Sequence, residues 1–394
     1  MSTARPGVAG VVIVGTGIAG ISAAEMLRAN GYPGPVSVIG AEATTPYRRT
    51  ALSKDLLRAD LSDERIRLRP SIFWTERDIG VRTGIAVEQI DTDARTIVLS
   101  DGTARGYDAL ILATGGTAVR PAMMADVLTL RARDDAEAIR AAIGSAGRVT
   151  IIGGGLIGLE IAASAAAAGH AVAVVEGAER VMERVVPEQI SELIANVHRS
   201  HGVTLDCGVQ VIEATGERVI RADGERMGGP VVAALGLRPD TALAAAAGLE
   251  VSSTGIIVDD RMRTSAAGVY AAGDVAAVPH PLTGTPHRAE HWLAAAEQGK
   301  AAAHAVLADL TGDTAPAYRE IPLAWTVQYG LNLQIAGSPT AGNRIEIDGS
   351  LADHDATVRS FDGDTLVGAV AVGRPRDGRT TRAEIAAHLD RLAV

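Results

Sequence analysis

Residues 149–176 read VTIIGGGLIGLEIAASAAAAGHAVAVVE. The β-branched run at 149–152 predicts a short buried strand. Gly153, Gly155 and Gly158 follow in the spacing G-x-G-x-x-G. Residues 156–168 are apolar and Ala-rich, which predicts a helix that stops at Gly169, and residues 171–175 predict a second strand. Glu176 ends that strand, 23 residues after Gly153. In a strand–turn–helix unit of this kind the first glycine makes the tight turn. The second admits a pyrophosphate close to the backbone, and the third lets helix and strand pack closely. The helix N-terminus offers free N–H groups to phosphate, and the acid after the second strand reaches the ribose hydroxyls. The stretch therefore predicts a dinucleotide-binding βαβ unit.

Glu160 does not fit a packing role in this stretch. It is the sole carboxylate or fixed cation between Arg148 and Glu176, two residues past the third glycine. Either it faces solvent or interacts with the helix N-terminus, or it is held at a site by a cation from elsewhere in the chain.

A second copy of the unit lies upstream. Residues 8–14 predict a buried strand, followed by Gly15-Thr16-Gly17-Ile18-Ala19-Gly20, a helix to about Asn30 closed by Gly31, a strand at 36–39, and Glu42. Ser22 stands in this copy where Glu160 stands in the other. Two such units imply two dinucleotides, or one dinucleotide and a degenerate copy.

Before the first copy, residues 1–7 read as a disordered leader. After it comes a basic loop, 45–54, expected to enter a helix at Leu52; it is either solvated or holds the isoalloxazine end of a flavin. Strands are expected at 85–90, 96–99 and 109–112, then Ala113-Thr114-Gly115. A linker and helix at 129–143 lead to the second glycine copy. Beyond Glu176 a polar helix is expected at 187–201, strands within 203–220 and at 231–235, and a return at Gly236-Leu237-Arg238-Pro239-Asp240. A strand at 255–259 precedes an apolar strand that runs into Gly273-Asp274, where the carboxylate is placed to accept from a ribityl hydroxyl. Glu290-His291-Trp292 opens an Ala-rich helix to about Leu307, and short alternating strands with a closing helix at 381–392 follow.

Composition narrows the class. Hydrophobic residues make up 47% of the 394 residues but aromatics only 3%, so the cores must be aliphatic. A net charge of −10 and a pI near 5.4 argue against a nucleic-acid-binding protein. The N-terminus lacks a signal-type pattern, and no uninterrupted apolar run reaches membrane length, so a cytoplasmic protein with no membrane partner is expected. Cys207 is the single cysteine, which excludes an intramolecular disulfide or redox dithiol. Positive charge is carried by 35 arginines and only Lys54 and Lys300.

These separated motifs together resemble the two-dinucleotide flavoprotein reductases. Within them the pattern is similar to the NADH-dependent ferredoxin, putidaredoxin and rubredoxin reductases, with an apoptosis-inducing-factor-like fold. The resemblance rests on both glycine sets, Pro46-Tyr47-x-Arg49 with Leu52-Ser53-Lys54, Ala113-Thr114-Gly115, Gly236-x-Arg238-Pro239, Thr264-Ser265, Ala272-Gly273-Asp274-Val275 and Glu290-His291-Trp292. It implies an α/β fold with two Rossmann-like dinucleotide-binding domains and a small α+β C-terminal domain. The expected domains are 1–118 with 240–320 for FAD, 119–239 for NAD(H), and 321–394. FAD would be held by Gly15, Gly17, Gly20 and Glu42 at the pyrophosphate and adenosine ribose, and by Gly115 and Asp274 on its far side. Lys54 and Glu160 would form an ion pair beside the flavin N5, the catalytic pair. Trp292 and Trp325 would line the flavin edge, and Glu176 would favour NADH over NADPH, with Arg180 nearby acting against that preference. The resemblance also counts Ile18, Ala19, Arg49, Val87, Ala113, Thr114, Arg120, Leu156, Ile157, Gly236, Gly273, Glu290 and His291 among the cofactor-binding residues. No metal site is implied.

The chain departs from the family pattern in two places. Where the family's loop reads Arg-Pro-Pro-Leu-Ser-Lys, this chain has Arg49-Thr50-Ala51-Leu52-Ser53-Lys54, a less rigid loop. Where the family has Trp-Ser-Asp-Gln, it has Trp325-Thr326-Val327-Gln328, which is expected to remove an acid near the flavin. The implied activity is transfer of hydride from NADH to FAD, then of single electrons to a [2Fe–2S] ferredoxin feeding a P450 or oxygenase. A monomer or weak dimer is expected, with Arg65, Arg67 and Arg69 weighed as a docking patch against an ordinary solvated charged face. Two alternatives stay open: direct reduction of a small molecule such as oxygen or a quinone, and a redox-sensing interaction protein.

Overall fold

A computed structural model describes residues 9–54, 56–57, 59–124, 126–280 and 284–392. The leader expected at 1–7 lies outside them. The chain forms two compact units, which divide it differently from the expected domain boundaries. One comprises Met1–Arg48, Ser62–Thr117 and Arg238–Glu320; the other comprises Arg49–Leu61, Ala118–Leu237 and Ile321–Val394.

The first unit is built on a seven-stranded sheet. The strand Gly10–Val14 lies between Val36–Gly40 and Ala104–Leu112, all parallel, and Val269–Ala271 joins the far side of Ala104–Leu112, also parallel. The strand Gly10–Val14 is buried on both faces, as its continuous apolar run indicates: Val11, Val12, Ile13 and Val14 are all buried. The strand expected at 109–112 begins earlier, at Ala104, because Ala104–Gly106 leaves the parallel layer and pairs antiparallel with Thr96–Val98. An edge strand at Ile79–Thr83, a short helix at Asp63–Ile66 and another at Ser71–Glu76 were not expected. The helices Ile18–Ala29 and Trp292–Thr311 touch backbone to backbone: a Cβ added at Gly299 would lie 2.1 Å from the Ala19 carbonyl oxygen.

The second unit contains a five-stranded parallel sheet in which Arg148–Ile152 is central, flanked by Ala171–Val175 and Val231–Ala233. An antiparallel sheet of residues 323–372 carries the helix Asp377–Leu392. The two share a core: Leu159, Met182, Ile190 and Ile194 pack in one cluster with Leu333, Ile335, Val358 and Val370. The helix expected at Leu52 does not form. Residues 49–51 make one 3-10 turn, and residues 52–54 and 56–57 are turns. The reason lies in the next layer: Leu52 is buried, and the Leu57 N–H donates to Ser164 Oγ (2.9 Å) instead of continuing a helical ladder. Among the described residues, no helix is long and apolar enough to cross a membrane.

Candidate functional site

The two glycine loops are built alike, each within its own unit. A Cβ on the third glycine would collide with the carbonyl oxygen of the first: Gly20 with Gly15 O at 2.1 Å, and Gly158 with Gly153 O at 2.0 Å. A Cβ on the first would collide with the neighbouring strand end, Gly15 with Ala113 O at 2.0 Å and Gly153 with Ala234 O at 2.4 Å. Both first glycines have positive φ, 121° and 105°. The middle glycines differ: nothing lies within 4 Å of a Cβ placed on Gly17 or Gly155. Each is the N-cap of its helix, with no side chain capping the free N–H groups and no acid in the first turn. Open space before an uncapped helix N-terminus is what a pyrophosphate requires, so both loops fit a dinucleotide.

In the first unit Ala113 and Gly273 lie against this loop, beside Gly15 and Ala19. Gly273 (φ 82°) abuts Ala19, and its N–H donates to Gln298 Oε1 at 2.8 Å. Gln298 is fully buried, and its Nε2 has no partner among the described residues, a donor left for a ligand. Sequence reasoning passed over Gln298 because it sits inside an Ala-rich helix; a polar side chain at a core position was the available signal. The Thr114 hydroxyl donates to the Asp240 carbonyl (3.0 Å), and the Gly115 carbonyl accepts from the Asp240 N–H. Glu42 accepts from the Tyr47 hydroxyl at 2.7 Å. Asp274 and Glu290 lie close enough to His291 to bias it toward its charged form, yet burial dominates and holds its pKa below the usual histidine value. Val87 opens an edge strand and is half-buried, and Trp292 begins its helix, half-buried. Arg67 lies 3.9 Å from Glu64 and Arg69 pairs with Glu25 at 2.8 Å, the arrangement of an ordinary charged face.

In the second unit the unexplained acid finds its cation. Glu160 is 5% exposed. Its Oε1 accepts from Lys54 Nζ at 2.5 Å and from the Thr326 hydroxyl at 2.7 Å, and its Oε2 accepts from the Ser53 hydroxyl. Lys54 Nζ lies 5.5 Å from the centroid of the Trp325 ring, within cation–π range. Three donors on one buried carboxylate satisfy a charge that would otherwise be costly to bury. Ser53 and Thr326 were missed. Thr326 and Gln328 alternate along the strand Leu323–Gln328 and both point inward, while Val327 between them is 38% exposed. Position 327 therefore lies on the opposite face of the strand from Thr326 and the Glu160 cluster. Arg49 and Arg120 are tied elsewhere in this unit, to the Arg131 carbonyl (2.9 Å) and the Thr129 hydroxyl (3.3 Å).

Glu176 stands at the second glycine loop, its two carboxylate oxygens accepting from the Gly154 N–H (2.5 Å) and the Ala178 N–H (2.8 Å). The Arg180 guanidinium donates to the Val186 and Glu183 carbonyls at 2.9 and 3.2 Å. Leu156 is half-buried and Ile157 is 44% exposed in the first turn beyond Gly155. Gly236 has φ 99°, and its carbonyl accepts from the Val119 N–H. Burial, with Glu176 and Asp206, pushes the Cys207 thiol up, so it stays protonated. Among the described residues, no group of three or more His, Cys, Asp or Glu side chains could hold a metal ion.

His198 is fully buried, and burial holds its pKa below the ordinary value, assisted by His201 and opposed by the hydrogen bond to Gln328. As pH falls, the unfolded chain therefore takes up this proton before the folded one. Stability is full above about pH 6.5 and falls by about 1.4 kcal/mol per pH unit below it, until the folded value is reached. The urea midpoint of His198→Gln should accordingly depend less on pH between 7.5 and 5.5 than that of the parent; equal slopes would contradict this.

Known proteins match this chain in sequence and in fold. The pattern of the pyridine nucleotide-disulphide oxidoreductases matches residues 9–299, and that of the reductase C-terminal domain matches residues 323–391. Rhodocoxin reductase of Rhodococcus erythropolis is 36% identical, over 96% of this chain and 90% of that one. The ferredoxin–NAD(+) reductase component of the anthranilate 1,2-dioxygenase system of Burkholderia cepacia is 37% identical, over 95% and 94%. The crystal structure of the covalent putidaredoxin reductase–putidaredoxin complex superposes with a TM-score of 0.88 at 33% identity, covering 97% of this chain and 94% of that one. With its single Cys207, the chain shares the fold of that family without a dithiol. It belongs to the pyridine nucleotide-disulphide oxidoreductase family, in the branch that carries the reductase C-terminal domain.

Proposed function

We propose that the protein is an NADH:ferredoxin reductase, with FAD in the loop of Gly15–Gly17–Gly20 and NADH in that of Gly153–Gly155–Gly158. FAD, when bound, accepts a hydride from NADH and gives up its electrons one at a time, which a [2Fe–2S] ferredoxin requires because it takes one. The chain's own work is positional and electrostatic. Gly17 and Gly155 leave room for the two pyrophosphates, and Glu176, at the second loop, would accept from the ribose hydroxyls. Lys54, fixed by Glu160, would supply a positive charge to the flavin ring. The observation that carries this reading is the Lys54–Glu160 pair, set two residues past the third glycine of the NADH loop. The electron acceptor follows from the relatives, whose names assign them to rhodocoxin, putidaredoxin and dioxygenase systems. A supply of NADH and the acidic, single-cysteine composition favour the cytoplasm.

The test is NADH-dependent cytochrome c reduction by the FAD-loaded protein with and without a [2Fe–2S] ferredoxin. Stimulation that saturates in ferredoxin is expected. Rapid NADH oxidation unaffected by any ferredoxin in a panel would favour direct reduction of a small molecule, and a reduced flavin that barely turns over would favour a sensing role. Cofactor choice has its own test. A 2′-phosphate would meet the Glu176 carboxylate, and Arg180 is held by backbone carbonyls. Glu176→Ser should move the NADH/NADPH ratio of kcat/KM toward NADPH by about a hundredfold, since each charge-assisted hydrogen bond is worth about 1.5–3 kcal/mol. An unchanged ratio would show that Glu176 does not read the ribose.

A further inference from the structure

A chain of buried hydrogen bonds ends on Glu160, and none of the roles assigned above uses it. Thr326 Oγ1 donates to Glu160 Oε1 at 2.7 Å, Gln328 Nε2 to Thr326 Oγ1 at 3.1 Å, and Gln328 Oε1 lies 2.7 Å from His198 Nε2. His198 Nδ1 in turn lies 3.3 Å from the Tyr329 hydroxyl. Exposure is 0% at Thr326 and His198 and 1% at Gln328. The direction of every bond follows from the end. An ionised carboxylate only accepts, so Thr326 must give Glu160 its proton. The Thr326 oxygen can then only accept, which turns the Gln328 NH2 toward it. That leaves the Gln328 carbonyl facing His198, so His198 must carry its proton on Nε2, and the Tyr329 hydroxyl donates to the bare Nδ1. Neutral His198 is the form that burial favours, and burial also pushes the Tyr329 hydroxyl up to about 12.

Tyr329 is placed at a cost. It sits in the two-residue turn after Leu323–Gln328 at φ 51°, with Gly330 at φ 82°. This is a turn conformation that favours Asn or Gly, and a bulky side chain there is strained. Its ring stacks on His201 (centroids 3.8 Å apart, 15° between planes) and meets His198 edge-on at 5.1 Å. A strained residue that closes a fully directed chain is an outlier from which a role can be inferred.

We propose that His198 is a positioning residue which, through Gln328 and Thr326, fixes the hydrogen-bonding state of Glu160 and so holds Lys54 in place. The proposal rests on the reading of Lys54 and Glu160 as the hydride-transfer pair. Its test uses the FAD-loaded full chain in stopped flow, recording flavin reduction against NADH concentration. Thr326→Val keeps the shape and removes the donor. It should slow flavin reduction about tenfold with the NADH dissociation constant unchanged, and Thr326→Ser should recover most of the loss. His198→Leu should give a similar loss, and the double variant should be no slower than Thr326→Val alone, because the two act in one chain. His198→Gln, which retains a donor, should lie closer to the parent and serves if His198→Leu does not fold. Rates at the parent level in Thr326→Val and in the His198 variant, or an additive hundredfold loss in the double, would overturn the proposal. Glu160→Gln is run beside them: if it too reduces normally, the hydride-pair reading fails and takes this proposal with it. If Glu160→Gln alone is slow, only this proposal fails.

Discussion

Replacing Lys54 with Met should slow NADH-dependent flavin reduction by about a hundredfold to a thousandfold, or about 3–4 kcal/mol in the barrier, with NADH affinity changed only a few-fold. Lys54 Nζ is 2.5 Å from Glu160 Oε1; the lysine side chain is 23% exposed and the glutamate's only 4%. The substitution leaves a buried carboxylate with the Ser53 and Thr326 hydroxyls as its remaining donors. Removing one partner from a fully buried pair costs about 3–5 kcal/mol of stability; the partial exposure of Lys54 brings the expectation down to about 2 kcal/mol. Lys54→Met/Glu160→Leu separates structure from chemistry. Replacing both charges by apolar groups should recover most of the stability and none of the rate. Stopped-flow flavin bleaching and urea denaturation of the three proteins measure the two effects. A Lys54→Met enzyme reduced within fivefold of the parent rate would remove the pair from the mechanism.

The cation for Glu160 was legible only through the family resemblance, which points to Lys54; composition alone leaves 35 arginines and two lysines as candidates. The rest of the cluster was not. Ser53 and Thr326 are small polar residues of the kind that fill many loops and strands, and only folding brings positions 53, 160 and 326 together. The strand at 323–328 also inverts the usual pattern, with Thr326 and Gln328 inside and Val327 outside. A reading by hydrophobic alternation turns that strand the wrong way round. His198 was hidden for a related reason: it occupies a buried position in a helix with a polar face, where sequence alone gives it no partner.

The same contrast runs through the fold. The strands Gly10–Val14 and Arg148–Ile152 are read easily because parallel strands covered on both faces are unbroken apolar runs. The edge strand Ile79–Thr83 has one buried residue and a glycine, so nothing in its pattern stands out. The helices Asp63–Ile66 and Ala242–Ala246 are one turn or little more. Segments that short gain little from propensity and form only because the surrounding chain holds their ends. Leu52 shows the opposite error: local sequence favours a helix, and contacts with the Glu160 helix override it.

Gly17→Val should give a folded, colourless protein that still binds NADH, and Gly155→Val a yellow protein that binds NADH about a hundredfold more weakly. Both positions have backbone that a β-branched residue can adopt, with φ −71° and ψ 176° at Gly17 and φ −78° and ψ −175° at Gly155. Nothing within 4 Å opposes a Cβ at either one. The added methyls would instead occupy the space assigned to a pyrophosphate, and a hundredfold weaker complex corresponds to about 2.7 kcal/mol. Gly20→Val and Gly158→Val make the contrast, because their Cβ atoms would fall 2.1 and 2.0 Å from the Gly15 and Gly153 carbonyl oxygens. Overlap with backbone cannot be relieved by rotating a side chain, so these two should cost about 3 kcal/mol or more and lose cofactor through loss of fold. Flavin absorbance per protein, circular dichroism and NADH titration distinguish the four variants. If Gly17→Val retained its flavin while Gly155→Val lost it, the two loops would have to exchange their assigned ligands. If both middle-glycine variants bound both cofactors normally, the open spaces at Gly17 and Gly155 would not be where the pyrophosphates lie.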